Sequence, residues 1–343
     1  GGMPRQPKLS ASERAAETSF ADWVEKHPHL AKHDALEMAK AIGTPDQPIF
    51  EVDAMKRLLP EYGQGSKPAT DAERAYRLEN NHALHPTAVA IARMAFTDRL
   101  DALAKLPDGH PLKQIFVTSG GCAAGKGDLT GIVKDAMGDK ATFGAVWDAA
   151  GEGDAGENAW VLKAAQARGL KVVYGYAEAD PVTRYQSVLE RAGGSGRVVD
   201  VMTFINSYVD GAVEMRRFMD SPEYKQAVAD GQVSAFGIAP GEFNRASLSD
   251  KSQKAYPDVK PLNATGEFEA QHVGAPADRQ KALEASLKIL EDFVTRERAN
   301  GKDPTAVAKG ALENALKFLD NEPPEVRKAV IDSYARIFGG LPQ

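Results

Sequence analysis

The sequence predicts an α/β protein whose largely parallel β-sheet is covered by helices on both faces. Two observations lead to this class. Short runs rich in β-branched and aromatic residues recur along the chain, and segments with the apolar spacing of amphipathic helices separate them. Strands that alternate with helices of about ten to fifteen residues are typical of parallel sheets, because parallel neighbours must be joined by a crossover connection.

The elements of this sheet are expected between residues 10 and 240, which form the core domain. Five strands are predicted, at 48–53, 115–117, 142–147, 170–176 and 233–238. Helices are predicted at 10–42, 71–106, 126–137, 157–168, 181–191 and 200–219. Proline lacks the N–H that a helix interior needs, so the second of these helices is expected to break at Pro86.

Three further segments flank the core domain. Residues 1–9 begin with Gly-Gly-Met and are expected to be a disordered tag. Residues 241–276 are polar and poorly patterned, which predicts loops that wrap the domain. Residues 277–343 are predicted to form a C-terminal helical bundle that packs on the core or binds a partner. Its helices are expected near 278–298, 304–320 and 323–338.

Composition excludes several classes of protein. The 343 residues are 43% hydrophobic and 26% charged, which suits a globular core. The formal net charge of −6 argues against a nucleic-acid partner. A single cysteine, Cys122, excludes an internal disulfide and cysteine-based zinc sites, and it favours a reducing compartment such as the cytoplasm. No apolar run approaches the roughly 18 residues of a membrane span, and we expect no membrane partner.

The stretch that points to function runs from Ile115 to Thr130 and reads IFVTSGGCAAGKGDLT. A predicted strand enters a glycine-rich turn with the spacing G-x-x-x-x-G-K, and a predicted helix follows. This is the pattern of a phosphate-binding P-loop, in which backbone N–H groups, the helix N-terminus and a lysine face the phosphates. The predicted nucleotide-binding residues are Gly120, Gly121, Cys122, Ala123, Ala124, Gly125, Lys126, Gly127 and Asp128.

One position departs from that pattern. The residue after the lysine is normally Ser or Thr, whose hydroxyl binds Mg²⁺, but this chain has Gly127. Asp128 and Thr130 are close enough in sequence to replace it, and we assign Asp128 as the metal ligand, since Mg²⁺ keeps several waters in any case. The alternative is a glycine-rich strand-to-helix turn that binds no ligand.

Acids and arginines outside the P-loop could complete a phosphoryl-transfer site. Asp53 and Asp148 end two predicted strands, and such acids face the ligand crevice of a parallel sheet. The alternative role for each is a helix cap or a turn. Arg184, Arg191 and Arg197 follow the fourth strand, and the last two flank a glycine-rich segment that suggests a flexible lid. The alternative there is a solvated basic face.

Three segments resemble the zeta-toxin-like P-loop kinases. The first reads FEVDAMK from Phe50 to Lys56, with LPEY from Leu59 to Tyr62 and a later His85-Pro86. The second is the P-loop. The third reads YGYAEADPVTRYQSVLERAGGSGRVV from Tyr174 to Val199. Together they cover about residues 48–240. In that family the P-loop comes first, so the resemblance implies a P-loop kinase-like fold that is circularly permuted.

The resemblance also implies roles for single residues. Asp53 would accept the proton of the acceptor hydroxyl, and Lys126 with the backbone of the loop would hold the ATP phosphates beside Mg²⁺. Arg191 and Arg197 would be lid arginines that stabilise the phosphoryl group in transfer. The substrate side would include Lys56, His85, Asp148 and Arg184. The family has an acid-Gly-Thr stretch where this chain has Asp148-Ala149-Ala150, which places its usual amino-sugar nucleotide substrate in doubt.

These observations leave two main hypotheses. The first is a kinase that moves the γ-phosphoryl group of ATP, or less favourably GTP, to a hydroxyl of a nucleotide-sugar or dinucleotide-like molecule. It would be a toxin or secreted effector in the bacterial or host cytosol, with an antitoxin-like or host protein as partner. The second is a nucleotide-binding pseudokinase that acts through a protein partner, which Gly127 favours. A polynucleotide kinase is a weaker third hypothesis, because the chain is acidic.

Overall fold

The computed structural model describes residues 2–121, 126–138, 141–148, 155–177, 181–238, 260–261 and 276–341. Its strands are β1 (Ile49–Glu51), β2 (Gln114–Gly120), β3 (Ala145–Asp148), β4 (Lys171–Ala177), β5 (Val233–Ile238) and β6 (Lys260–Pro261). Its first nine helices are α1 (Ala11–Lys26), α2 (Pro28–Ile42), α3 (Val52–Met55), α4 (Asp71–Ala104), α5 (Lys126–Met137), α6 (Ala155–Gln166), α7 (Pro181–Ser195), α8 (Val201–Met219) and α9 (Pro222–Ala229). The C-terminal helices are α10 (Pro276–Ala299), α11 (Thr305–Leu316) and α12 (Pro324–Phe338).

The strands form one sheet in the order β1-β3-β2-β4-β5-β6. The first five are parallel, and β6 pairs antiparallel with β5. The α/β class with a parallel sheet is therefore confirmed. The strand that leads into the P-loop is central, and β1 lies two places away beside β3. Because parallel strands end at the same edge, the residues that follow β1, β2, β3 and β4 come together there.

Helices cover both faces of the sheet, as predicted. Along β2 the buried side chains alternate, so that Ile115 and Val117 join one apolar cluster and Phe116 joins the other. The first cluster includes side chains of α1, α2, α4, α6 and α9. The second includes those of α5, α7 and all three C-terminal helices, and α8 contributes to both. The C-terminal helices therefore complete the core of the sheet domain rather than forming a separate unit.

The long helix α4 contradicts the predicted break at Pro86, because it runs without interruption from Asp71 to Ala104. Proline at position 86 leaves the carbonyl of His82 without its helical N–H donor. The side-chain amide of Gln6 supplies a replacement, with Nε2 donating to His82 O at 3.0 Å and to Ala83 O at 3.2 Å. The helix therefore continues past Pro86, because the His82 carbonyl accepts from a side chain 76 positions earlier in the chain.

The N-terminal segment also differs from the expected disorder. Its described residues lie across α1, α4 and the C-terminal region, where they make specific contacts. The backbone N–H of Gln6 donates to Glu17 Oε2 at 2.8 Å, and Arg5 pairs with Glu25 at 3.2 Å. Lys8 Nζ donates to Lys317 O at 3.2 Å. These contacts offset the chain entropy that the segment loses when it is held in one conformation.

We expect Gln6→Ala to destabilise the protein by about 1–2 kcal/mol, because it leaves the His82 carbonyl unbonded in a part-buried position. Urea unfolding measures the change. A double-mutant cycle with Pro86→Ala isolates the cause, since alanine at position 86 returns an N–H to the helix. In that background Gln6→Ala should cost less. An equal cost in both backgrounds would mean that the Gln6 amide does not replace the missing helical donor.

Smaller differences concern the ends of elements. The single helix predicted over 10–42 is two helices, because Pro28 begins α2 directly after His27. Helix α9 was not predicted. Of the segment predicted as wrapping loops, 241–276, the structure describes only residues 260–261 and 276, so that prediction lies mostly outside the described residues. No helix in the described part of the chain is both long and apolar enough to cross a lipid bilayer.

Candidate functional site

Asp53 lies at the carboxyl end of β1, where the short helix α3 begins, and three basic side chains converge on it. Lys56 Nζ is 2.7 Å from Asp53 Oδ1, and Arg197 Nη1 is 3.3 Å from Oδ2. His85 Nδ1 is 4.0 Å from Oδ1. The Asp53 side chain keeps 36% of its surface exposed, so it remains open to a ligand.

The charges around Asp53 determine its protonation state. Burial alone would raise the pKa of this carboxyl group. The charges of Lys56 and Arg197, joined in acid by that of protonated His85, outweigh burial and hold the pKa far below its ordinary value. Asp53 is therefore a carboxylate at every physiological pH, and it accepts hydrogen bonds through both oxygens.

Lys56 is buried next to Asp53. Its side chain is 1% exposed, and Nζ donates to Asp53 Oδ1 at 2.7 Å and to Asn81 Oδ1 at 3.1 Å. The hydroxyl of Tyr62 donates to the same Asn81 oxygen at 3.0 Å. This burial argues against direct contact with a substrate, and our assignment of Lys56 to the substrate side stays a prediction. Its ammonium is enclosed by protein, and its hydrogen bond to Oδ1 fixes the orientation of the Asp53 carboxylate.

His85 is neutral in the folded protein. Burial and the nearby Lys56 charge, only partly opposed by Asp53, together lower the pKa of its imidazole to about 4. With 23% of its side chain exposed, the ring can still reach a ligand as a hydrogen-bonding group without charge. The predicted position on the substrate side is compatible with this placement.

The low pKa of His85 predicts a loss of stability in mild acid. Above pH 6.5 the ring is neutral in both folded and unfolded states and contributes nothing. Between pH 6.5 and 4 the unfolded chain binds a proton that the folded protein excludes, which costs up to about 3 kcal/mol. His85→Gln should remove that part of the decline in urea unfolding free energy, whereas His33→Gln, at an exposed site, should not. Identical profiles for His85→Gln and wild type would contradict the buried neutral ring.

Two acids stand next to each other on the ends of β1 and β3. Glu51 is in register with Asp148, and Asp148 is in register with Thr118 on β2. The Thr118 hydroxyl donates to Asp148 Oδ1 at 2.7 Å, which orients that carboxylate. Burial and the nearby Asp148 charge raise the pKa of Glu51 above its ordinary value. This row of side chains adds oxygen acceptors to the edge where Asp53 lies.

The P-loop sequence has the predicted structural context. Strand β2 ends at Gly120 and helix α5 begins at Lys126. Gly120 has φ of +138°, and a Cβ there would lie 2.5 Å from the carbonyl oxygen of Ala177. A Cβ at Gly121 would lie 2.4 Å from the ring of Tyr208. Both glycines are therefore required by close packing against β4 and α8.

Much of the predicted nucleotide-binding loop lies outside the residues that the structure describes. Cys122, Ala123, Ala124 and Gly125 lie outside the described residues, as do the side chains of Lys126 and Asp128. Nucleotide binding by this loop, Gly127 included, stays a prediction. Among the described residues, no group of three or more His, Cys, Asp or Glu side chains could hold a metal ion. Mg²⁺ needs only one or two carboxylates beside phosphates and water, so the assignment of Asp128 also stays a prediction.

The predicted arginine lid is more ordered than expected. Gly193, Gly194 and Ser195 continue helix α7 instead of forming a loop, and the chain turns at Gly196 with φ of +74°. The turn directs Arg197 to Asp53. Arg184 is half-buried and Arg191 is exposed, both on α7, and neither forms an ion pair with Asp53 in the described structure.

Sequence reasoning missed part of the site on α4. Arg77, Asn81 and His85 are four residues apart, so they lie on one face of this helix. Asn81 contacts Lys56 and Tyr62, while Arg77 is almost fully buried. The four-residue spacing of Arg77, Asn81 and His85 did not stand out in the sequence, because residues 79–82 between them are also polar. Thr118 gave no signal either, because its role depends on pairing between β2 and β3.

Comparison of the sequence with models of protein families found no match, and comparison with curated proteins found none either.

Proposed function

We propose that the protein is a kinase that transfers the γ-phosphoryl group of ATP to a hydroxyl of a small molecule. The observation that carries the proposal is the ion pair of Asp53 with Arg197 at the carboxyl edge of the parallel sheet. The same edge receives the strand that leads into the P-loop sequence. A carboxylate to hold the acceptor hydroxyl, and a cation for the transferred phosphoryl group, are the two parts that this chemistry requires beside the nucleotide.

Asp53 and Arg197 have different roles in the proposed transfer. The acceptor hydroxyl donates a hydrogen bond to Asp53, its oxygen forms the new bond to the γ-phosphorus, and its proton passes to the Asp53 carboxylate. The bond from the γ-phosphorus to the bridging oxygen breaks, and ADP leaves. Because the pKa of Asp53 is far below that of an alcohol, the proton moves late, and the main task of the carboxylate is to orient the hydroxyl. Arg197 stabilises the charge on the phosphoryl oxygens.

The acids at the strand ends support a hydroxyl-rich acceptor. Glu51 and Asp148 offer oxygens that accept hydrogen bonds from sugar hydroxyls, and His85 adds a neutral ring. A nucleotide-sugar or dinucleotide-like acceptor suits this set of groups. We propose the same toxin or effector role as above, in the bacterial or host cytosol, with a protein partner that controls access to the site.

The test is turnover of ATP with Mg²⁺ across a panel of nucleotide sugars, NAD and nucleosides, followed by mass spectrometry. A product heavier by one phosphoryl group would establish the kinase and name its acceptor. Lys126→Ala should abolish nucleotide binding. Nucleotide binding by the wild type without any product would reject the kinase and favour the pseudokinase, for which the missing hydroxyl at Gly127 is the supporting observation.

A further inference from the structure

The guanidinium of Arg77 is buried between two distant segments of the chain. The residue is 1% exposed. Its plane lies over the ring of Tyr62, with 4.4 Å from the guanidinium carbon to the ring centroid. Among the residues that the structure describes, Arg77 forms no ion pair, and the charge of Glu73 acts on it only from a longer distance. A buried charge without a counter-ion is costly unless its hydrogen bonds are complete.

Arg77 meets this requirement with five hydrogen bonds to backbone carbonyls. Four acceptors belong to one loop, at distances of 2.6–3.2 Å, and they are the carbonyls of Tyr62, Gly63, Gly65 and Ser66. The fifth is the carbonyl of Ser195 at the end of α7, 3.2 Å away. A fork of five donors suits this arrangement, and a lysine ammonium could not reproduce it.

Both segments bound by Arg77 lead directly to the site. The loop carries Tyr62. The Tyr62 hydroxyl and the Lys56 ammonium both donate hydrogen bonds to Asn81 Oδ1. Beyond Ser195 the chain turns at Gly196 and reaches Arg197, whose N–H donates to Ser195 Oγ at 3.2 Å. The turn is packed closely, since a Cβ at Gly196 would lie 2.8 Å from the Cβ of Arg77. Arg74, one turn earlier on α4, also donates to the carbonyl of Gly193.

We propose that Arg77 is a positioning residue that holds Arg197 over Asp53 before any ligand binds. Arg77 connects the end of α7 to the loop that follows α3. Arg197 is therefore held in place by a fixed anchor and does not depend on the closure of a mobile lid. The catalytic consequence rests on the proposed kinase function, whereas the anchoring does not. A displacement of about 1 Å in a group that contacts the reacting atoms can lower a rate about 100-fold.

The test uses two substitutions that loosen the anchor from opposite sides. Arg77→Lys keeps the charge but loses the fork. Gly196→Ala keeps the guanidinium but displaces the turn. Arg99→Lys is the control for the first, because Arg99 also bridges two backbone carbonyls, those of Gly144 and Asp46. Gly193→Ala is the control for the second, because a Cβ there meets nothing within 4 Å.

Hydrogen exchange over residues 195–199 is the readout that does not need activity. Arg77→Lys and Gly196→Ala should exchange this segment at least about ten-fold faster than wild type, with core strands unchanged, and the two controls should not. Where turnover is measurable, kcat should fall about 100-fold with KM for ATP unchanged. Unchanged exchange in either test variant, or equally increased exchange in the controls, would overturn the proposal. If the two test variants loosen this segment while the wild-type protein shows no turnover, the anchor is supported and only the kinase is rejected.

Discussion

Asp53→Asn is expected to lower turnover by about 10²–10⁴-fold while leaving ATP affinity nearly unchanged. The asparagine keeps an oxygen that accepts from Lys56, but it cannot take the proton of the acceptor hydroxyl. The substitution also removes the carboxylate that pairs with Lys56, and the Lys56 side chain is only 1% exposed. Because Asp53 is itself a third exposed, we expect a moderate loss of stability, about 1–3 kcal/mol. Initial rates with saturating ATP, and ATP titration by calorimetry, give the two quantities.

The control for this variant is Asp101→Asn. Asp101 forms an ion pair with Arg168 at 2.7 Å on the surface, so the substitution removes one carboxylate without touching the site. Its turnover should equal that of wild type. Circular dichroism at the assay temperature confirms that both variants are folded. An Asp53→Asn protein with more than about a tenth of wild-type activity would remove Asp53 from the role of proton acceptor.

Arg197→Met is expected to lower kcat by about 10³-fold or more, the loss found when an arginine that stabilises a transferring phosphoryl group is removed. Methionine keeps much of the volume and loses the charge. The variant also separates two effects of Arg197. Removing its charge raises the pKa of Asp53 toward the ordinary value, but Lys56 still opposes protonation. Activity should therefore stay low and flat between pH 6 and 9.

Arg168→Met is the matched control, since that guanidinium pairs with Asp101 on the surface. It should retain wild-type kcat. The pH profile decides between the two explanations of a loss in Arg197→Met. If activity recovered steeply as the pH rose, the arginine would act by keeping Asp53 ionised, and direct stabilisation of the phosphoryl group would be wrong.

Much of the sheet was predictable because its strands are short apolar runs between amphipathic helices. The position of Asp53 at a strand end and the strand-to-helix context of the P-loop were predictable for the same reason. The break at Pro86 was wrong, because the replacement donor comes from Gln6, far away in sequence. A proline rule considers only the helix in which the proline lies.

The candidate site was predictable in its charged residues but not in its geometry. The glycines before Arg197 suggested a flexible lid, yet the structure continues a helix through them and turns only at Gly196. Arg77 was missed because its partners are backbone carbonyls, which every residue carries. Residue types reveal ion pairs between side chains, whereas the docking of a guanidinium on backbone depends on tertiary packing.

The distance in sequence between the parts of this site has a consequence for biosynthesis. Arg77 and the carbonyl of Ser195 that it binds are 118 positions apart, and the last helices of the chain pack into the same core as α7. A ribosome releases the chain from its N-terminus, so Asp53 emerges long before Arg197 and before the helices that complete the core. The ion pair between Asp53 and Arg197 therefore cannot form until the chain has been synthesised beyond position 197, and the apolar core that supports α7 is complete only after α12 has emerged.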